Sequence, residues 1–216
     1  DQAKMNVEKV VFDESFRDYR PTSTACWFMN LIRLSSTVGM RDNLITSEVT
    51  DMNRMFYGTA IRNLDLTTFP NFVTSKVENM SRMFEDCRFL YSINLSSFDT
   101  KNVTNMECMF AMNPGYGTYL TTVDISSFNT AKVTDMSGMF SGCTELERIF
   151  VGKGWTTDAV TSSLRMFRNC EKIIGGAGTT YDPDHIDATY ARIDGGPTSP
   201  GYLSESGPYA VIKDHR

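Results

Sequence analysis

The sequence predicts an α/β solenoid, a right-handed superhelix of about six stacked units, each supplying one short parallel strand and one short helix. Three observations predict it: an eight-residue Val-x-x-Met-x-x-Met-Phe segment that recurs along the chain, a Thr column at a fixed distance before it, and a three-residue alternating segment after it. Self-similarity at a period of roughly 20 to 50 residues marks stacked-repeat architectures, in which no single unit buries its own apolar side.

The marker segment is Val49-Thr50-Asp51-Met52-Asn53-Arg54-Met55-Phe56, repeated as Val77 to Phe84, Val103 to Phe110, Val133 to Phe140 and, more weakly, Val160 to Phe167. A degenerate earlier copy reads Ala25-Cys26-Trp27-Phe28. The Phe markers then stand at 28, 56, 84, 110, 140 and 167, with intervals of 28, 28, 26, 30 and 27 residues. Apolar residues at i, i+3, i+6 and i+7 form one face of a short helix. Thr50, Thr104, Thr134 and Thr161 stand where N-caps would, and Thr104 with Glu107 fits a capping box.

The strand follows from Leu64-Asp65-Leu66, Ile93-Asn94-Leu95, Val123-Asp124-Ile125 and Ile149-Phe150-Val151, whose outer residues are apolar. Before the marker, Leu44, Phe72, Phe98, Phe128 and Trp155 precede Thr46, Thr74, Thr100, Thr130 and Thr157 by two positions. The Thr column reads as a ladder of side-chain-to-backbone hydrogen bonds. Cys87, Cys143 and Cys170 each follow a Phe marker by three residues and read as buried free thiols, and the Met columns read as core. These registers divide the chain into a lead-in over 1–24, a solenoid over 25–174, a C-terminal cap over 175–203 and the start of a further element over 204–216.

Composition narrows function. The 216 residues carry 21 Lys plus Arg against 26 Asp plus Glu, a formal charge of −5, with no basic run to grip a phosphate backbone. No stretch reaches the roughly 18 to 20 apolar residues of a membrane helix. The five cysteines are too sparse for a disulfide scaffold and lack zinc-ligand spacing. The start at Asp1, without Met or a signal-peptide pattern, is that of a trimmed or processed chain.

Phe98-Asp99-Thr100 and Val133-Thr134-Asp135-Met136-Ser137-Gly138-Met139-Phe140 resemble the units of the BspA-type leucine-rich-repeat surface proteins of bacteria. Val10 to Phe16 with Pro21 to Thr24 resembles the lead-in to such arrays, and Tyr190 to Gly196 with Pro200-Gly201-Tyr202 resembles their close. The resemblance spans roughly residues 8 to 203 and implies a leucine-rich-repeat-like β-α fold, secretion or surface attachment, and adhesion or protein binding without catalysis. Ser163, in place of the first helix Met, and the insertion Asn113 to Gly117 depart from the pattern. Pro208 to Ile212 resembles the beginning of another extended element.

The chemistry-bearing residues are few. The two histidines, His185 and His215, lie outside the repeats, and no phosphate loop, HExxH or nucleophile motif is present, so no catalytic site is expected. Asp65 and Asp124 stand two strands apart, roughly 10 Å at ordinary strand spacing, which is too wide for a glycosidase pair. Tyr181 to Asp187 gathers three aspartates that suit either calcium or a solvated turn, and the second reading is favoured; no metal or cofactor is expected.

The curved sheet is the expected recognition surface. Alternation turns Asn63, Asp65, Ser92, Asn94, Thr122, Asp124, Arg148 and Phe150 outward. Phe150 is aromatic where its counterparts are Asp or Asn, and Arg148 lies beside it, so these two, with Asp124, Asn94 and Asp65, form the candidate binding set. The competing reading covers Phe150 with the cap around Ile173 and Tyr181. The expected function is an extracellular or cell-surface protein-binding module whose partner is a host-matrix or other cell-surface protein. The alternatives are a glycan-binding module and a structural spacer.

Overall fold

The computed structural model describes residues 6–34, 36–115 and 117–206. The chain winds as a parallel-strand β-solenoid of about five turns, and little of the described chain is helical. Among the described residues seven short strands stack along it: β1 (Lys9–Val11), β2 (Ser36–Val38), β3 (Asn63–Asp65), β4 (Ser92–Asn94), β5 (Thr122–Ile125), β6 (Arg148–Val151) and β7 (Leu203–Glu205). They pair in parallel as β1-β2, β3-β4 and β5-β6-β7. The inserted turn beginning at Asn113 lies where β4 and β5 part into separate sheets.

The helices expected over the marker segments do not form; the one α-helix among the described residues is α1 (Met40–Asn43). Their backbone donors go elsewhere. The N–H groups of Met80, Arg82, Phe84 and Asp86 donate to the carbonyls of Asn105, Glu107, Met109 and Ala111 on the next turn, at 3.0, 2.7, 2.9 and 2.9 Å. The intervening N–H groups of Met83, Glu85 and Cys87 close tight turns onto Met80, Arg82 and Phe84. Every other donor therefore points along the stack, which an α-helix forbids.

The cause is a pair of left-handed residues in every copy but the one at Phe110, which has one. The residue two before the Phe marker has positive φ in all six copies, from Cys26 (60°) and Arg54 (53°) to Gly138 (61°) and Arg165 (60°). The residue two after it does so at Asn30, Gly58, Asp86, Gly142 and Asn169. Such a residue ends a right-handed helix at once. Apolar spacing alone does not distinguish this corner from a helix, since both turn Val, Met, Met and Phe inward.

Inside, like packs on like. Phe28, Phe56, Phe84, Phe110, Phe140 and Phe167 form one stack with centroid steps of 5.1, 5.6, 5.7, 5.6 and 5.8 Å and nearly parallel rings. Phe72, Phe98 and Phe128 form a second. The Met columns and the first-register Val residues from Val49 to Val133 are fully buried. Each buried Phe or Met contributes on the order of 2 kcal/mol of transfer free energy, so the columns are the main source of cohesion.

The Thr ladder forms, and it joins successive turns. Thr46, Thr74, Thr100 and Thr130 are buried, and each hydroxyl both donates to and accepts from the backbone of one residue on the next turn: Val73, Asp99, Asn129 and Thr156. The expected N-cap threonines instead bond across turns, as Thr104 N–H and Oγ1 do to Glu78 O.

Packing continues past the repeat copies at both ends. At the start, β1 covers β2, while Phe12 and Phe16 pack on Trp27. At the C-terminal end, the last Phe N–H, on Phe167, donates to Ile186 O, Trp155 Nε1 donates to Ala191 O at 2.9 Å, and buried Tyr202 packs edge-on against Phe167. His215 and the Pro208 to Ile212 segment lie outside the described residues.

Candidate binding surface

Alternation holds at most strand positions; Arg148 and Phe150, expected outward, and Leu64 and Ile93, expected inward, are half-buried. Asn63, Asp65, Ser92, Asn94, Thr122 and Asp124 are exposed, while Leu66, Leu95, Val123, Ile125, Ile149 and Val151 are buried. The acidic and amide side chains among them have local work. Asp65 Oδ1 accepts from the N–H and hydroxyl of Thr67, Asn94 Oδ1 from those of Ser96, and Asp124 Oδ1 from Ser126 N–H. An Asx turn at the strand end is a sufficient reason for Asp or Asn in this column.

Phe150 is half-buried between its register partners Asp124 on β5 and Ser204 on β7. Its neighbour is therefore the added strand β7; Ile173 lies fully in the core. The Arg148 guanidinium donates to Ile174 O at 2.9 Å and Gly175 O at 2.8 Å, tying the last turn to the cap. The pair marks where β7 adds to the stack, with Phe150 still partly open to solvent.

A more prominent feature lies on the turns that lead into the strands. Phe89, Tyr91 and Tyr119 are each more than 40% exposed. Tyr91 stacks on Tyr119 with centroids 4.6 Å apart, and Phe89 faces Tyr119 at 6.5 Å. The Arg62 guanidinium lies 5.6 Å from the Phe89 ring centre, within cation-π range. This ridge borders the strand starts at Asn63, Ser92 and Thr122. Strand alternation missed it because the aromatics precede the strands; the signal available was the recurrence of Phe and Tyr in the turns over 89–91 and at 119.

Beside the ridge a cleft of about 710 Å³ opens between β2 and β3, sharing Arg62 and Phe89 with it. A second depression of about 600 Å³ crosses the marker-segment face near Cys108, Leu164 and Arg165.

The buried thiols and the acidic segment make local bonds. Cys87, Cys143 and Cys170 donate through Sγ to Phe56 O, Phe110 O and Phe140 O. Burial pushes the Cys87 thiol up to about 11 and Cys143 to about 12, and raises Cys170 well above the ordinary thiol range. Cys26 is exposed; Cys108 is half-buried, and burial pushes it up to about 11. In the acidic segment, Asp182 accepts from Asp184 N–H and pairs with His185 Nδ1 at 2.8 Å, and Asp187 accepts from Thr189. Among the described residues no three His, Cys, Asp or Glu side chains converge on a metal position, and no helix is long and apolar enough to cross a membrane.

The family model described as "Mycoplasma protein of unknown function, DUF285" matches residues 27–117 and 95–182, two overlapping passes over the repeats. No curated protein and no solved structure matches the chain.

Proposed function

We propose that this chain, which belongs to the family of Mycoplasma proteins of unknown function DUF285, is a non-catalytic protein-binding module that works at the cell surface or outside the cell. The observation that carries the reading is the exposed ridge of Phe89, Tyr91 and Tyr119 with Arg62 alongside. Aromatic and arginine side chains held rigidly on a scaffold are the usual anchors of protein interfaces. Tyr91 N–H donates to Arg62 O at 2.7 Å and the three rings pack on one another, so less side-chain entropy is lost when a partner covers them. Phe150 and the polar strand column of Asp65, Asn94 and Asp124 extend the same face as a rim.

The surface location and the kinship with BspA-type leucine-rich-repeat proteins belong to this proposal. They are supported by the repeated units around Phe98 to Thr100 and Val133 to Phe140 and by the repeat solenoid they build.

The glycan-binding alternative draws support from the number of exposed aromatics, three where the strands alone offered one. Their stacking counts against it. A sugar ring packs on an open aromatic face, whereas these rings engage one another: Arg62 lies over Phe89, and Phe89 and Tyr91 both stack with Tyr119. The Tyr91 and Tyr119 phenols add hydrogen-bonding groups beside the apolar rings, a combination that suits a polypeptide surface.

The test is a binding screen of the whole chain against arrays of extracellular-matrix proteins and of glycans, with Tyr91→Ser, Tyr119→Ser beside it. Protein binding that falls at least about tenfold in the variant, with an unchanged thermal melt, supports the reading. Glycan binding lost in the variant would replace it. Absence of both at high micromolar concentration would leave the spacer role. Arg148→Glu is a poor probe, because it leaves Ile174 O and Gly175 O without their donor.

A further inference from the structure

The sheet is interrupted between the first two full turns. β1 pairs with β2 and β3 with β4, but β2 and β3, on successive turns, belong to separate sheets. The turns touch on both sides of the break. Before it, Asn30 N–H donates to Tyr57 O at 2.8 Å; after it, Arg41 Nε donates to Thr68 O at 3.0 Å and Asn71 Nδ2 to Asp42 O at 3.2 Å. Between these contacts lies the cleft of about 710 Å³, walled by Ser36 and Thr37 on one side and Asn63 to Asp65 on the other. Its floor is apolar, with Leu34, Met40 and Phe56 all buried.

We propose that this cleft takes one extended strand from a protein partner, inserted between β2 and β3, with an acidic residue at the end where Arg33 and Arg62 stand. The proposal rests on the protein-binding reading above and specifies the form of the partner.

Both walls are strand edges that pair only on their outer sides among the described residues. An edge of this kind offers N–H and C=O groups at the spacing an added strand needs. One inserted strand spans roughly 9.6 Å from edge to edge, twice the ordinary strand separation, and β2 and β3 each provide three residues, roughly 10 Å of length. Alternate side chains of the guest would point down to Leu34, Met40 and Phe56, so those positions call for apolar residues.

Charge decides the rest of the partner's chemistry. The chain as a whole carries −5, yet exposed Arg33 and Arg62 line the cleft where β2 and β3 begin. At the opposite end stands Asp65, whose Oδ1 is already engaged by Thr67. An acidic residue is therefore favoured at the arginine end, and a basic guest is disfavoured there.

The experiment uses the whole chain and three capped, fluorescently labelled hexapeptides. The first is a glutamate followed by alternating valine and threonine; the second has lysine for the glutamate; the third is the first with alternate amides N-methylated. Binding is read by anisotropy and its location by amide hydrogen exchange. The expected result is saturable binding of the first peptide at about 100 μM or tighter, weakened about tenfold by lysine and abolished by N-methylation. Exchange should slow at 36–38 and 63–65. Arg33→Glu, Arg62→Glu should invert the charge preference with the melt unchanged. Equal binding of the N-methylated peptide, or no slowed exchange at those amides at millimolar peptide, overturns the proposal. So does self-association that protects the same amides without peptide, because the occupant is then a second copy. Tyr91→Ser, Tyr119→Ser separates the two readings. If it abolishes capture of a matrix protein while no peptide enters the cleft, the strand insertion alone fails; if the peptide inserts and no matrix protein binds, the ridge alone fails.

Discussion

Replacing Thr130 by valine changes almost nothing in shape and removes one pair of hydrogen bonds between turns. Thr130 is fully buried; its Oγ1 donates to Thr156 O at 2.6 Å and accepts from Thr156 N–H at 2.7 Å. Valine keeps the volume but leaves a donor and an acceptor on half-buried Thr156 unmet. At about 1 to 3 kcal/mol for each stranded backbone group, and with partial recovery from water on the exposed side, Thr130→Val should cost about 2 to 4 kcal/mol. Thr130→Ser keeps both bonds and loses one buried methyl, about 1 kcal/mol. Urea unfolding of the three proteins, with m-values checked for constancy, should rank wild type above Ser and Ser above Val. A valine variant within about 0.5 kcal/mol of wild type would refute the claim that the Thr column bolts the turns together.

The left-handed corners make two opposed predictions by the same urea assay: Arg165→Gly, at φ 60°, should stabilise by about 0.5 to 1 kcal/mol. Gly142→Ala, at φ 78° with its added Cβ 1.8 Å from Met112 O, should destabilise by about 3 kcal/mol. In the cap, burial pushes Asp194 up, but donors from Thr179, Gly196 and Ala177 outweigh it and hold the carboxyl down at about 2. Its folded value lies below the unfolded 3.8, so its contribution is present above roughly pH 4 and is lost as pH falls through about 2. In a Trp27→Phe background, Trp155 fluorescence, reporting the bond to Ala191, should show the cap loosening in that window, and Asp194→Asn should loosen it at neutral pH. Ellman's reagent should find Cys26 fast, Cys108 slow and Cys87, Cys143 and Cys170 silent until the chain is unfolded.

Much of this architecture was written in columns. The Phe markers, the Met and Val positions, the buried Cys and the Thr ladder all follow from recurrence, because stacking like on like places each column at one depth in the core. The marker segment was misread as helix because inward spacing is common to both conformations. The decisive residues are the polar ones between the apolar markers: Asn30, Gly58, Asp86, Gly142 and Asn169 are the types that tolerate positive φ, and they recur two residues after each Phe except at Met112. Arg54, Arg82 and Arg165 hide the companion column, since arginine carries no such preference. Of the candidate site, alternation found the exposed strand residues but gave Asp65, Asn94 and Asp124 no turn-forming role. It passed over the ridge and the cleft, which depend on how turns of unequal path stack across Phe89, Tyr119 and the β2–β3 break.

The most direct test of the solenoid itself is to ask where the marker-segment amides send their hydrogen bonds. Through-hydrogen-bond scalar couplings measured on the ¹³C,¹⁵N-labelled chain should link Met80 N–H to Asn105 C=O, Arg82 N–H to Glu107 C=O and Phe84 N–H to Met109 C=O. Couplings from these amides to the carbonyls four residues earlier in the same segment would restore the helix and contradict the account.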